Sequence, residues 1–369
     1  MSGAVLLTGA TGFLGMDMLS SLLEHGRQVI VLMRAADEGE AKLRLDGVIS
    51  RLYEHRSLRD GEVRVICGDI EAPHLRLSEA DERMLISEVD SIVHCAGSIS
   101  FGADLASSRA INVEGVRRVI DLSRKIASGG ALRRLLHVST AYVCGRQEGV
   151  FCEQDLDLRQ EFRNAYEQSK YEAELLLSAA SDLPVVVARP SIVVGNSESG
   201  WTSAFNVIYG PMRAFARGML EEVPANPGSI VDFVPIDYVT AALMHLLDDE
   251  AASGNYHLVA GDLAFSAGEL ASAQAELLGR PPMRLLPQEE CRALPEGIAT
   301  YAPYLDIRCE FDDARARAAL EPAGITAPAP GDYLHRLVEF ALRTRFGKQR
   351  ISREAAFSAA LAARCASGR

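Results

Sequence analysis

The sequence predicts an α/β protein built on a doubly wound parallel sheet, followed by a smaller mixed C-terminal portion. Two observations carry that prediction: short β-branched runs alternate with longer helical patterns over the first two hundred residues, and a glycine-rich turn closes the first run. The runs are AVLLT (4–8), QVIVLM (28–33), VRVICG (63–68), SIVHCA (91–96), RLLHVS (134–139) and PVVVAR (184–189). They are apolar throughout rather than alternating, as parallel strands covered on both faces require. Strands separated by helices build a doubly wound sheet. After Gly195 the rhythm breaks: WTSAFNVIYGPMRAFARGML reads as helical, VDFVPIDYVTAALMHLL and a strand-like YHLVAG follow, and prolines gather around 281–287. The expected division is a sheet domain over 1–195 to which parts of 225–260 return, a substrate-binding portion over 196–330, and a basic helical segment over 331–369.

Composition narrows the class. With 369 residues, 48% hydrophobic and 24% charged, the chain has the make-up of a globular protein with a sizeable core. Seven cysteines without a C-x-x-C pair point to a reducing compartment, no disulfides and no structural metal. The N-terminus lacks the pattern of a signal peptide and no apolar run is long enough to span a membrane, so a cytoplasmic location is expected. A net charge of −12 argues against nucleic acid as a partner. Residues 332–369 nevertheless hold eight Lys/Arg against three acids, leaving −17 for the rest. That segment reads as a solvated basic helix or as a docking surface for an acidic partner.

The turn after the first run is Thr8-Gly9-Ala10-Thr11-Gly12-Phe13-Leu14-Gly15, leading into a helix with Leu19, Leu22 and Leu23. Its glycines permit a tight turn and close backbone approach to a pyrophosphate, and the helix N-terminus offers free N–H groups. Gly9, Thr11, Gly12, Phe13, Leu14 and Gly15 are therefore candidate dinucleotide contacts, although the spacing is G-x-x-G-x-x-G rather than G-x-G-x-x-G. At the end of the second run, where a free ribose 2′-hydroxyl would meet an acid, stands Arg34. Arg34 favours the 2′-phosphate of NADPH, with Arg44 in the helical EGEAKLRLDGVISRL as a second arm; two solvated surface arginines are the alternative. Asp69, with Ile70, follows the third run, and Ala96-Gly97 follow the fourth, all placed to meet the cofactor or simply to turn the chain.

The stretch AYEQSKYEAELLL (165–177) holds one of only four lysines. At helical spacing Tyr166, Lys170, Ala173 and Leu177 share an inward stripe, whereas Glu167, Tyr171, Glu174 and Ser178 share another, read here as the solvated face. An ammonium one turn from a phenol favours the phenolate and lowers its pKa, so Tyr166 is the candidate proton carrier and Lys170 its partner and a ribose ligand. Thr140, after RLLHVS, is placed to hydrogen-bond the substrate oxygen, with Ser139 its rival. Asn112 bonds backbone or water near the lysine, or is an ordinary helix asparagine.

TGATGFLG, Thr140, YEQSK and Arg189-Pro190-Ser191-Ile192-Val193-Val194-Gly195 resemble an extended short-chain dehydrogenase/reductase. Within that superfamily, TGATGFLG, the ten-residue spacing of Arg34 and Arg44, HVSTAYV and VDFVPIDYV (231–239) resemble the thioester reductases and the related fatty acyl reductases of male sterility type. The resemblance covers about residues 4–250. It implies a Rossmann sheet, Tyr166 as proton donor, Lys170 as its electrostatic partner, Thr140 as oxyanion donor, and Pro190 and Ser191 beside the cofactor. It also implies NADPH-dependent reduction of an acyl thioester, on coenzyme A or an acidic carrier protein, to an aldehyde or onward to the alcohol. A ketone or hydroxysteroid reductase, a nucleotide-sugar epimerase or dehydratase, and a non-catalytic NADP-sensing protein are the alternatives. The run Trp201 to Leu220 lines an acyl pocket or belongs to the core.

Overall fold

The chain is described by a computed structural model covering residues 3–367 apart from positions 57, 60, 131, 293 and 295. Arg369, counted above in the basic segment, lies outside the described residues. Seven parallel strands, numbered in chain order, form the central sheet: β1 (Ala4–Thr8), β2 (Val29–Met33), β3 (Val63–Cys67), β4 (Val89–His94), β5 (Arg134–Val138), β6 (Val185–Pro190) and β7 (Gly254–Leu258). Their spatial order is β7-β6-β5-β4-β1-β2-β3, so the chain reverses direction of growth between β1 and β4. A ligand crevice is expected outside the carboxyl ends of the strands at that reversal.

Both faces of the sheet are covered, which is why its strands are apolar on both sides. One face carries α1 (Phe13–Glu24), α2 (Glu38–Leu52) and α8 (Ile236–Asp248), whose Leu19, Leu22, Val48, Leu243 and Leu246 share one core with Val5, Leu7 and Val31. The other carries α3 (Glu79–Glu88), α5 (Glu114–Ser128) and α6 (Ala165–Ala179), with Leu85, Val116, Ile120, Ala173 and Leu177 against Leu6, Ile92 and Leu135. Between α3 and α5 lies α4 (Leu105–Asn112). Strand β7 and helix α8 come from beyond residue 225 and complete this unit, β7 pairing with β6 from Gly254↔Val186 to Leu258↔Pro190.

The C-terminal portion builds a third core from α7 (Tyr209–Ala216), α9 (Ala267–Leu278) and α11 (Pro330–Arg343), α10 (Ala314–Leu320) lying between the last two in sequence. The run 201–220 yields only the eight residues of α7, because positive φ at Gly200, Val207 and Gly218 breaks the chain on either side. The final helix, α12 (Arg353–Ser367), returns to the sheet domain: Arg353 donates to Asp17 at 2.8 Å and to Glu24 at 2.9 Å on α1. The basic segment is thus partly tied to the rest of the chain: Arg336 donates to the Ser197 carbonyl, and Arg364 pairs with Glu198 at the surface. Arg345, Lys348 and Arg350 remain exposed after α11. No helix among the described residues is long and apolar enough to cross a membrane.

One buried ion pair ties α6 to the sheet. Arg189 at the end of β6 is fully buried and meets the Glu174 carboxylate at 2.7 Å, while also donating to the Asp155 and Glu153 carbonyls at 2.9 and 3.2 Å. Removing one partner of such a pair strands the other charge in the interior. Arg189→Ala is therefore expected to lower unfolding free energy by about 3–5 kcal/mol, seen as a lower urea midpoint with unchanged slope.

Candidate active site

The turn after β1 is shaped by two glycines. Gly9 has φ +79°, and a β-carbon there would lie 2.6 Å from the Ala96 nitrogen, so β1 and the end of β4 approach as closely as glycine allows. A methyl group on Gly15 would fall on the Gly9 carbonyl. Gly12 occupies the N-cap of α1, and no side chain caps the helix. The first N–H groups therefore face outward with the positive end of the helix dipole, beside exposed Thr11 and Gly12, a ready site for a pyrophosphate. Phe13 packs on Trp201 with ring centroids 6.0 Å apart, and Leu14 rests on the core beneath. At the end of β4, Ala96 donates to the Thr8 hydroxyl at 3.3 Å.

Helix α6 starts at Asn164, whose side chain caps the Glu167 N–H at 3.0 Å, and this sets the phase that turns Tyr166 and Lys170 toward the strand ends. Burial pushes the half-buried Tyr166 phenol up to about 12, and a hydrogen bond with the Thr140 hydroxyl draws it part of the way back. The Lys170 ammonium, expected to pull the phenol down, is not among the groups that shift it. Its Nζ donates instead to the Val138 carbonyl at 2.7 Å and to His137 Nε2 at 3.3 Å, acceptors that β5 places under the helix. Burial lowers Lys170 to about 8, with Glu174 one turn on opposing the fall. Burial and the nearby ammonium keep His137 neutral, as they do His94 at about 3, and a neutral imidazole is what can accept from an ammonium.

Asn112 ends α4 and joins two pieces of the site. Its Oδ1 accepts from the Ser98 N–H at 2.7 Å, while Nδ2 donates to the Ser98 carbonyl at 3.1 Å and to Ser169 Oγ at 2.9 Å. It therefore ties the Gly97-Ser98 loop to the residue before Lys170. Of the two hydroxyls that competed at 139–140, Thr140 meets Tyr166, whereas buried Ser139 Oγ finds no partner among the described residues.

The remaining candidates ring the crevice. Arg34 pairs with Glu71 at 2.8 Å, and Arg44 donates to the Arg34 backbone carbonyl, so the two guanidinium groups gather at the end of β2 with an acid already on one arm. The sequence reading did not foresee Glu71. Asp69 accepts from the Glu71 N–H at 3.0 Å, and the Ile70 side chain packs against Gly115 while its carbonyl accepts from Arg118. Pro190 ends β6, and the buried Ser191 donates its N–H to the Leu258 carbonyl at 3.2 Å.

The expected solvated stripe of α6 is corrected by the structure. Glu167 and Glu174 are buried, and Tyr171 packs on Phe162, because Arg163 and Arg189 neutralise the acids from outside the helix. The sequence reading also missed an aromatic wall: Phe101 lies 5.5 Å from Tyr166, 5.7 Å from Tyr301 and 4.9 Å from Tyr304, centroid to centroid. Tyr304 accepts from Asn164 at 2.9 Å and, with Tyr301, walls an apolar pocket that also takes Val207, Ile208 and Pro211 from the 201–220 run. Two tyrosines three apart in TYAPYL were the available signal, hidden by the prolines around them.

An open helix N-terminus, a glycine cradle that a β-carbon would fill and a buried unpartnered hydroxyl at the strand ends suit a nicotinamide dinucleotide. Fold and crevice define a nicotinamide dinucleotide-binding protein of the short-chain dehydrogenase/reductase type. Residues 7–243 match the family model described as male sterility protein, and the chain belongs to that family of NAD-binding domains. It is 30% identical to fatty acyl-CoA reductase 1 of Homo sapiens over 274 residues, 64% of this chain and 52% of the human protein. The chain thus spans about half the length of the fatty acyl-CoA reductases it matches. Its fold is shared with the terminal R domain from the myxalamid PKS-NRPS biosynthetic pathway, at TM-score 0.82 and 24% identity over 94% of this chain and 92% of the other. The reductase domain of a nonribosomal peptide synthetase from Mycobacterium tuberculosis follows at TM-score 0.72 and 21% identity, covering 95% and 93%.

The geometry of the turn makes Gly15→Ala a direct probe of the cradle. The variant is expected to stay folded, since the clash is confined to the turn, and to weaken cofactor binding by at least about tenfold in a fluorescence titration.

Proposed function

We propose that the chain is an NADPH-dependent reductase of acyl thioesters, carried on coenzyme A or a carrier protein, that releases an aldehyde. The observation that carries this reading is the Tyr166–Thr140 pair at the strand ends, with an aromatic-walled apolar pocket joined to it by the ring contacts of Phe101. Family membership supports it, as do relatives named for acting on fatty acyl-CoA. Arg34 and Arg44 support the phosphorylated cofactor, because a guanidinium stands where an acid would hold a free ribose hydroxyl. The exposed Arg345, Lys348 and Arg350 offer a basic surface for the phosphates of coenzyme A or an acidic carrier.

When bound, the cofactor supplies the hydride. Gly9, Gly12 and Gly15 hold its pyrophosphate, with Thr11, Phe13 and Leu14 completing the turn, and Asp69, Ile70, Ala96, Gly97, Pro190 and Ser191 lining its path. Thr140 and Tyr166 hold the thioester carbonyl oxygen, so that negative charge developing there meets two hydroxyl donors. Tyr166, whose raised pKa keeps its proton at neutral pH, gives that proton to the oxyanion. The resulting hemithioacetal returns the proton to the Tyr166 phenolate as its carbon–sulfur bond breaks, freeing an aldehyde and a thiolate that takes its proton from water. Lys170 would hold the cofactor's ribose, and Asn112 keeps the Ser98 loop and α6 in register.

A panel of acyl thioesters, free ketones, sterols and nucleotide sugars, followed by NADPH oxidation, tests the reading; turnover of the last three with none of the thioesters defeats it. Tyr166→Phe should lower kcat on thioesters by at least about a hundredfold with cofactor binding unchanged. Arg34→Ala should raise the KM for NADPH by about tenfold or more and leave that for NADH nearly unaltered. Lys170 carries its charge below about pH 8 and loses it above, so kcat/KM should be level on the acid side and fall as pH rises through about 8. Lys170→Arg, which stays charged, should remove that fall.

A further inference from the structure

The apolar pocket contains one feature that an unsubstituted hydrocarbon chain would not need. It is a cavity of about 80 Å³ walled by Ile192, Val223, Leu270, Met283, Leu285 and their apolar neighbours, and among them stands Gln274 of α9. A water occupies about 10–15 Å³ on this measure, so the cavity holds a short run of carbon atoms. Gln274 is only 3% exposed and lines the cavity, the one amide side chain among its walls. It sits on the same helical face as Ala267, Leu270 and Ala271, all of which line the pocket. An amide set among apolar walls loses hydration that only a polar partner restores, and a leucine or methionine would fill the same space without that cost.

We propose that Gln274 is a specificity residue and that the enzyme takes acyl thioesters whose chain carries a hydroxyl or carbonyl oxygen some carbons away from the thioester. This rests on the thioester-reductase reading and deepens it. The carboxamide can donate to a chain carbonyl or accept from a chain hydroxyl, so either oxygen satisfies it. A plain chain entering the pocket leaves the amide unpaired in apolar surroundings, and that loss is what separates the two substrates. Tyr304 of the pocket wall stacks on Phe101, and Phe101 packs on Tyr166, so two rings separate the pocket from the reacting centre. The oxygen recognised is therefore remote from the carbonyl that is reduced.

The test compares octanoyl-CoA with a positional series of hydroxyoctanoyl-CoA thioesters, using wild type and Gln274→Met. At least one isomer should exceed octanoyl-CoA in kcat/KM by about tenfold or more, and Gln274→Met should erase that advantage while retaining or improving turnover of octanoyl-CoA. The variant should also unfold at a higher temperature than wild type, which a residue kept for its structural bonds would not do. Equal kcat/KM across the series, or an advantage that survives in Gln274→Met, overturns the assignment and leaves the thioester reading standing. Absence of turnover with every thioester overturns both.

Discussion

An ammonium group kept inside a protein is the constraint on which this site depends. Lys170 is 6% exposed, and a charge in that setting needs compensation from the chain itself. Three groups provide it: the Val138 carbonyl, the neutral imidazole of His137, and the Glu174 carboxylate one helical turn away. Glu174 would be a buried charge in turn, were it not for Arg189 at 2.7 Å. Charge thus alternates through the interior from Arg189 to Glu174 to Lys170, and removing any member leaves its neighbour exposed to the desolvation cost. The same chain couples the end of β6 to α6, so the electrostatic arrangement also fixes the helix that carries Tyr166.

That arrangement explains why α6 is buried on two sides. One side, with Ala173 and Leu177, packs on the sheet core, and the other, with Tyr171, packs on a smaller cluster that includes Tyr142, Phe151 and Tyr304. The second contact brings the C-terminal portion to the helix start, where Tyr304 accepts from the capping residue Asn164. Pocket wall and helix cap are therefore one structure.

Much of the sheet was legible in the sequence, because strands covered on both faces are continuously apolar and short. AVLLT became β1 without a change of boundary, and EGEAKLRLDGVISRL became α2. The reading failed where long-range partners overrule local pattern. Glu167 and Glu174 mark a solvated stripe by helical period, yet arginines at 163 and 189 draw them inside. Spacing and resemblance placed Lys170 beside Tyr166 but could not show that β5 supplies its hydrogen-bond acceptors, the Val138 carbonyl and His137. Glu71 on Arg34 was invisible for the same reason, since nothing near Arg34 in sequence announces it. The C-terminal portion was least legible because its strands are two or three residues long and pair with distant segments, as Cys309–Phe311 does with Gly149–Phe151.

The central claim is that these residues direct hydride to a thioester carbonyl. Its most direct measurement is a single turnover of acyl-CoA with NADPH deuterated at the transferring C4 position, followed by mass spectrometry of the trapped aldehyde and assay of free thiol. The account predicts one deuterium on the aldehyde carbon for each coenzyme A released. Oxidised cofactor without deuterium at that carbon, or without stoichiometric thiol, would contradict it.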